Sequence, residues 1–282
     1  MRESTAVPPL GVALLAHGSG RGRCTIDGVR EITSRLANRV SGQAIVQVAF
    51  FEFLHPTLEE TLTELRDARV ADVLVLPYFL FDGKEVKVEI PALLDQLRPR
   101  FPGLRIVQTA NLGIDPRLID LLADRVDEAL RGLGQLQPVG GRLPVRGEDG
   151  AIGVVLVNRG SRARYDDGSR LRELCARLGD RLGGVPVEPA QAERSEELTI
   201  ERATARLVAA GCERIVVAPY LHFPGKVLTV NVIPAVNRAA AAHPGHRFYL
   251  ASTLCVDDRC VEICADRIIA LVAGEERSIP RG

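Results

Sequence analysis

Gly11 to Arg23, GVALLAHGSGRGR, is an apolar run that stops at a histidine and passes into a glycine-rich, basic turn. Short apolar runs bounded by turn residues suit strands buried on both faces, and open α/β sheets bind their ligands beyond the carboxyl ends of such strands. His17, at that strand end, is the first candidate functional residue.

A second copy of the stretch settles the architecture. Residues 153–164 read GVVLVNRGSRAR, and Gly11/Gly153, Gly18/Gly160 and Ser19/Ser161 share one offset of 142 (153 − 11, 160 − 18, 161 − 19). The same shift carries Pro77-Tyr78 onto Pro219-Tyr220, Gly83-Lys84 onto Gly225-Lys226, and Asp115 onto Asp257. A match held at fixed spacing across several elements marks a tandem duplication of one α/β unit. The copies differ where it matters, since the position of His17 holds Arg159 in the second.

Composition agrees with two units. A chain of 282 residues that is 46% hydrophobic can bury a sizeable core and has the length of about two domains. The expected division is an amino-terminal domain over 1–132, a linker over 133–150 rich in Gly, Pro and charge, and a carboxy-terminal copy over 151–282. With 36 basic and 36 acidic residues the net charge is zero, which argues against nucleic-acid or membrane-surface partners. No run approaches the roughly 20 apolar residues of a membrane span, and the amino terminus lacks a signal-peptide pattern, so a cytoplasmic protein is expected. The six cysteines form no CxxC pair and read as buried filler, although Cys260 and Cys264, four apart on an expected helix, have the spacing to share a soft metal.

Strands and helices alternate through each half, which implies a parallel sheet covered on both faces, with four strands per half. In the first half the expected order is a helix from Thr25 to Val40, a strand from Ala44 to Phe51, a helix opened by Pro56, and a strand running from Val73 through Phe81 and ending at Asp82-Gly83. A helix toward Leu97, a strand from Leu104 to Thr109 and a helix capped by Asp115-Pro116 complete it. The second half is expected to repeat this with strands at Ile152–Val157, Val185–Glu188, Arg214–Leu221 and Arg247–Ala251, and a last helix from Asp258 to Val272.

Four residues at first-half strand ends carry imidazole or carboxylate: His17, Glu52, His55 and Glu85. These groups bind borderline and hard divalent ions and exchange protons near neutral pH, so one site could do both. Glu52 interrupts the apolar sequence AFFEFL, a costly place for an unpartnered carboxylate. His55 is expected to cap the helix at Pro56, and Glu85 is equally readable as a first-turn helix charge. At the same offset the second half carries Arg159 for His17, Arg194 for Glu52 and Val227 for Glu85, together with Arg162, Arg164 and Lys226. That set suits contact with an anionic substrate and cannot repeat the imidazole–carboxylate chemistry; His222, where the first half has Leu80, departs in the opposite sense.

AHGSGRGR (Ala16–Arg23), AFFEFLHPTLEE (Ala49–Glu60), LPYFLFDGKEV (Leu76–Val86) and LGIDPRLIDLLADRV (Leu112–Val126) resemble the class II tetrapyrrole chelatases, in particular the long, two-domain sirohydrochlorin cobalt or iron chelatases. The resemblance implies two tandem chelatase-like α/β domains, each a roughly four-stranded parallel sheet flanked by helices, facing across a cleft. It implies ATP-independent insertion of Co²⁺ or Fe²⁺, as substrate, into sirohydrochlorin, with no organic cofactor. His17 matches the family's metal-binding histidine and Glu52 its assisting glutamate, whereas Glu85 stands where a second histidine is common. A carboxylate there makes the site harder and more anionic. The macrocycle's carboxylates call for cationic and polar contacts, for which Ser19, Arg21, Arg23, Lys84, Arg159 and His222 are the candidates. Fusion of two copies favours a monomer over a homodimer. The alternatives are a chelatase-fold enzyme turned to another metal-dependent reaction on a small anion, and a non-catalytic metal or tetrapyrrole carrier.

Overall fold

The computed structural model describes residues 10–18, 23–132, 150–160, 168–193 and 195–273, without the side chains of Arg23, Cys24, Val272 and Ala273. Ser19, Arg21, Arg162, Arg164, Arg194 and nearly all of the expected linker lie outside the described residues.

Each copy builds one parallel sheet. In the first, β1 (Leu10–Ala16), β2 (Ala44–Phe50), β3 (Asp72–Pro77) and β4 (Arg105–Gln108) lie in the order β2-β1-β3-β4. Helices α1 (Arg23–Arg39), α2 (Leu58–Asp67) and α3 (Ile90–Leu97) connect them. The central strand is apolar on both faces because helices cover both: Val12 to Leu15 are fully buried. One core layer joins Ala13, Leu15, Val73 and Val75 to Leu58, Leu62 and Leu65 of α2 and Ile90 and Leu94 of α3. The helix α4 (Pro116–Leu130) comes next in the chain.

The second sheet repeats the order as β6-β5-β7-β8, from β5 (Ile152–Asn158), β6 (Val187–Gln191), β7 (Arg214–Pro219) and β8 (Arg247–Leu250). Its connections are α5 (Ser169–Arg181), α6 (Ile200–Ala209) and α7 (Ile233–Ala242), and α8 (Asp258–Ala273) closes the described chain. Two four-stranded parallel sheets flanked by helices are therefore present, as expected.

The packed units do not coincide with the sequence repeat. One comprises Met1–Gly113 with Val256–Gly282, the other Ile114–Cys255. Helix α4, last element of the first copy, packs on α5, β7 and β8, while α8, last element of the second copy, packs on α1. Arg181 bonds Asp120 at 2.5 Å and Arg125 donates to the Leu254 carbonyl at 3.2 Å in one unit; Arg35 bonds Asp258 and Arg39 bonds Glu262, both at 2.8 Å, in the other. The division at 132 and 151 thus describes the duplication, and the packing boundaries fall at 113 and 255.

Two local expectations change. The helix α2 is capped by Thr57, whose hydroxyl accepts from Glu60 N–H while the Glu60 carboxylate accepts from Thr57 N–H. Pro56 precedes the helix, and His55 contributes only a bond from Nδ1 to Glu60 at 2.9 Å. The strand expected at Val185–Glu188 lies at Val187–Gln191, because Val154 pairs with Val187 where Val12 pairs with Val46. The offset along β6 is therefore 141 (187 − 46), and it returns to 142 at the caps Thr57 and Thr199 (199 − 57).

Candidate active site

The carboxyl end of β1 carries His17, and three segments converge on it. The first continues from β2: Phe51 N–H donates to the Ala16 carbonyl at 2.8 Å and Glu52 N–H to the His17 carbonyl at 3.0 Å, extending the parallel ladder past the strand end. Gly18 sits at φ +82°, and a Cβ there would lie 2.0 Å from the Glu52 carbonyl oxygen, so glycine is required for the loop to come this close. The second continues from β3: Tyr78 N–H donates to Leu15 O at 2.8 Å, and the ring of Phe79 lies 6.0 Å from that of His17, tilted by 42°.

The third is the turn that presents Glu85. Residues Glu85–Glu89 form a π-helical turn leading into α3, held to β4 by Gln108 Nε2 donating to the Val86 carbonyl at 3.1 Å. Single π-helical turns recur at functional sites because the widened helix re-aims its side chains. Glu85 Oε1 stands 3.8 Å from His17 Nε2, the two side chains 31% and 23% exposed, so both remain reachable from solvent. Gly83 makes room for this pair, since a Cβ there would sit 2.8 Å from Glu85 Oε2.

The structure thus brings together His17 and Glu85 and places the backbone, not the carboxylate, of Glu52 against His17. The Glu52 side chain has no hydrogen bond or ion pair among the described residues. No group of three His, Cys, Asp or Glu side chains disposed to hold a metal occurs among the described residues. Two donors, an imidazole and a carboxylate, form a labile foothold for a divalent ion and a pair able to take up protons.

The remaining candidates lie around this pair and in the second copy. Lys84 is ion-paired with Glu89. Arg23 starts α1. Arg159 Nε lies 3.7 Å from Glu193 Oε2, and His222 accepts Cys255 N–H on its carbonyl at 2.7 Å. The backbone pairs Arg159 with Glu193 as it pairs His17 with Glu52: Glu193 N–H donates to the Arg159 carbonyl at 3.0 Å, and a Cβ on Gly160 would lie 2.3 Å from Glu193 O. The counterpart of Glu52 is therefore Glu193, not Arg194; one residue fewer before β6 and one more between β6 and α6 hide it from a fixed-offset comparison. The second copy keeps the acid and loses the imidazole. Cys260 and Cys264 are fully buried on α8, and burial, followed by these two thiols, raises the Tyr78 phenol well above its ordinary pKa. Phe79 beside His17 and Gly83 beneath Glu85 join the site only through the fold, although the DGK turn is a sequence signal for the latter.

The sequence model of the CbiX family matches residues 11–129 and again 153–271. A sirohydrochlorin cobaltochelatase of Priestia megaterium is 24% identical over 240 residues, 85% of this chain and 72% of that protein. One from Saccharolobus islandicus is 32% identical over 127 residues, 42% of this chain and 94% of the relative. Among solved structures, the sirohydrochlorin chelatase SirB from Bacillus subtilis subspecies spizizenii in complex with cobalt superposes with a TM-score of 0.74 at 18% identity, covering 96% of this chain and 98% of its own. SirB from Bacillus subtilis with Fe³⁺ gives 0.75 at 20% identity, with the same coverage of both chains.

Proposed function

The chain belongs to the CbiX family, and from that premise we propose that it inserts Co²⁺ or Fe²⁺ into sirohydrochlorin without ATP, using His17 and Glu85. The observation that carries the reading is the 3.8 Å approach of His17 Nε2 to Glu85 Oε1 at two strand ends of the first copy. Insertion replaces two pyrrole N–H protons by one divalent ion. The reacting site must therefore offer a ligand that lets go and bases that accept protons. An imidazole and a carboxylate do both, and two protein donors leave the other coordination positions to water and ring nitrogens. Glu52, whose N–H donates to the His17 carbonyl, is the auxiliary acid of this reading, serving in proton or metal delivery.

The second copy supports this assignment to the first. Where His17 stands, it has Arg159, whose guanidinium lies 3.7 Å from Glu193. A guanidinium offers no lone pair to a metal, so in this reading the imidazole–carboxylate chemistry belongs to the first copy. Arg159, His222, Arg21, Arg23 and Lys84 remain candidate contacts to the substrate's carboxylates, and Ser19 a polar one. Among the described residues no helix is long and apolar enough to cross a membrane. A cytoplasmic monomer belongs to the same reading, and sedimentation velocity tests its size.

Absorbance-followed metallation of sirohydrochlorin by Co²⁺, without nucleotide, is the direct test. Wild-type protein should accelerate insertion over the uncatalysed rate, and His17→Ala should lose at least about a hundredfold, the usual share of a positioned acid–base group. A variant that keeps the full rate removes His17 from the reaction.

A further inference from the structure

We propose that Phe53 is a substrate-contact residue, whose phenyl group offers an apolar face on which the metal-free macrocycle lies beside the His17–Glu85 pair. The inference rests on the reading of the chain as a sirohydrochlorin chelatase.

Phe53 is 84% exposed, while Phe50, three residues earlier, is buried. Exposure of one apolar side chain is ordinary; the backbone beneath it is not. Phe53 has φ +58°, and Leu54 N–H donates to the Glu52 carbonyl at 2.7 Å across it, the pattern of a γ-turn in the sterically strained hand. Glycine would adopt this turn without strain. A bulky aromatic here adds strain and contributes little burial, so the folded protein alone gives no reason for it. Strain of this kind collects at ligand clamps and active sites, where surrounding contacts hold it in place.

The surroundings do hold it. The chain just before Phe53 is fixed by Phe51 N–H to Ala16 O at 2.8 Å and by Glu52 N–H to His17 O at 3.0 Å, so the phenyl hangs one residue from the backbone bonded to His17. In the second copy Ala192 and Glu193 make the same two bonds, to Asn158 and Arg159. The next residues in that copy are Arg194 and Ser195, so the exposed phenyl accompanies only the copy that carries the His17–Glu85 pair. A tetrapyrrole presents a conjugated, apolar face and keeps its carboxylates at the rim. An aromatic side chain covers such a face by dispersion and stacking while leaving the pyrrole nitrogens free to exchange protons for metal.

Three variants test this. Phe53→Gly removes the ring and relieves the strained φ, Phe53→Ala removes the ring alone, and Phe53→Tyr keeps it. Affinity for metal-free sirohydrochlorin is read from quenching of the macrocycle's fluorescence with no metal present, and steady-state insertion gives kcat and separate KM values for macrocycle and Co²⁺. Phe53→Gly should unfold no more easily than wild type yet bind the macrocycle about tenfold more weakly, the size expected for losing one aromatic contact. The KM for the macrocycle should rise similarly in Phe53→Gly and Phe53→Ala, the KM for Co²⁺ should stay within about twofold, and Phe53→Tyr should restore macrocycle affinity. Wild-type turnover together with unchanged macrocycle affinity in Phe53→Gly overturns the inference and leaves the chelatase reading standing. Wild-type protein that neither binds nor metallates the macrocycle overturns both.

Discussion

Replacing Gly18 by alanine should be among the most damaging single-methyl additions in the first unit. The added Cβ would lie 2.0 Å from Glu52 O, 3.1 Å from Glu52 C and 3.3 Å from Phe50 Cβ. A carbon and a carbonyl oxygen in favourable contact stand at about 3.3 Å or more, so the loop would have to withdraw by roughly an ångström. Withdrawal breaks or stretches the 3.0 Å bond from Glu52 N–H to His17 O. That costs about 1 kcal/mol, the left-handed φ of +82° adds about 1 to 2 for a residue with a Cβ, and the displaced packing brings the total to about 3 kcal/mol. Gly42 supplies the control: its φ is +78°, but nothing lies within 4 Å of its Cβ position, so Gly42→Ala bears only the conformational share, about 1 kcal/mol. Urea unfolding monitored by circular dichroism should show a clearly larger drop in midpoint for Gly18→Ala than for Gly42→Ala. Metallation should fall with it, because the loop is tied to His17. Gly160→Ala, at φ +91° and 2.3 Å from Glu193 O, should destabilise the second unit in the same way. Equal midpoint shifts for Gly18→Ala and Gly42→Ala would refute the close approach of the loop to the strand end.

Other expectations concern the same region and its supports. Gly83→Ala should slow metallation with little change in unfolding, because its Cβ meets only the flexible end of Glu85, 2.8 Å away; an unaltered rate would detach Glu85 from the reaction. Thr57→Ala should cost about 1 kcal/mol by removing the cap of α2, read from the urea midpoint. The bond from His55, aided by Thr57 N–H, holds the Glu60 carboxyl below its usual range. Its stabilisation is therefore present above the unfolded value of about 4.3 and is lost as pH falls through the folded value, so Glu60→Gln should be less stable than wild type at pH 7 and converge with it in acid. Burial pushes the Cys175 thiol up to about 12. It should resist alkylation at pH 8 until the protein unfolds, and labelling at the rate of a surface thiol would contradict its position on the buried face of α5.

The apolar periodicity of GVALLA and of its copy GVVLVN was enough to place buried parallel strands, and a constant spacing of 142 was enough to reveal two of everything. His17 and Glu85 were also legible, since glycine-rich turns after such strands are where α/β sheets expose their chemistry. Other features were not, because they depend on approach in space. Glu193 answers Glu52 only through backbone pairing, and a one-residue shift along β6 conceals this in the sequence. Phe53 sits in an apolar run that reads as core, and only its φ and exposure set it apart.

The exchange of the last helices is the deepest case. Asp115 accepts from Arg117 N–H and Asp257 from Arg259 N–H, each at 3.0 Å, so α4 and α8 begin with one and the same cap. Both carry an apolar stripe fit for a sheet of this design, and duplication supplied two such sheets. Local sequence therefore determined that these helices form and which faces they bury. Which sheet receives which helix was decided by the packing of the whole chain, because two near-equivalent partners differ only in contacts that exist once the fold is complete.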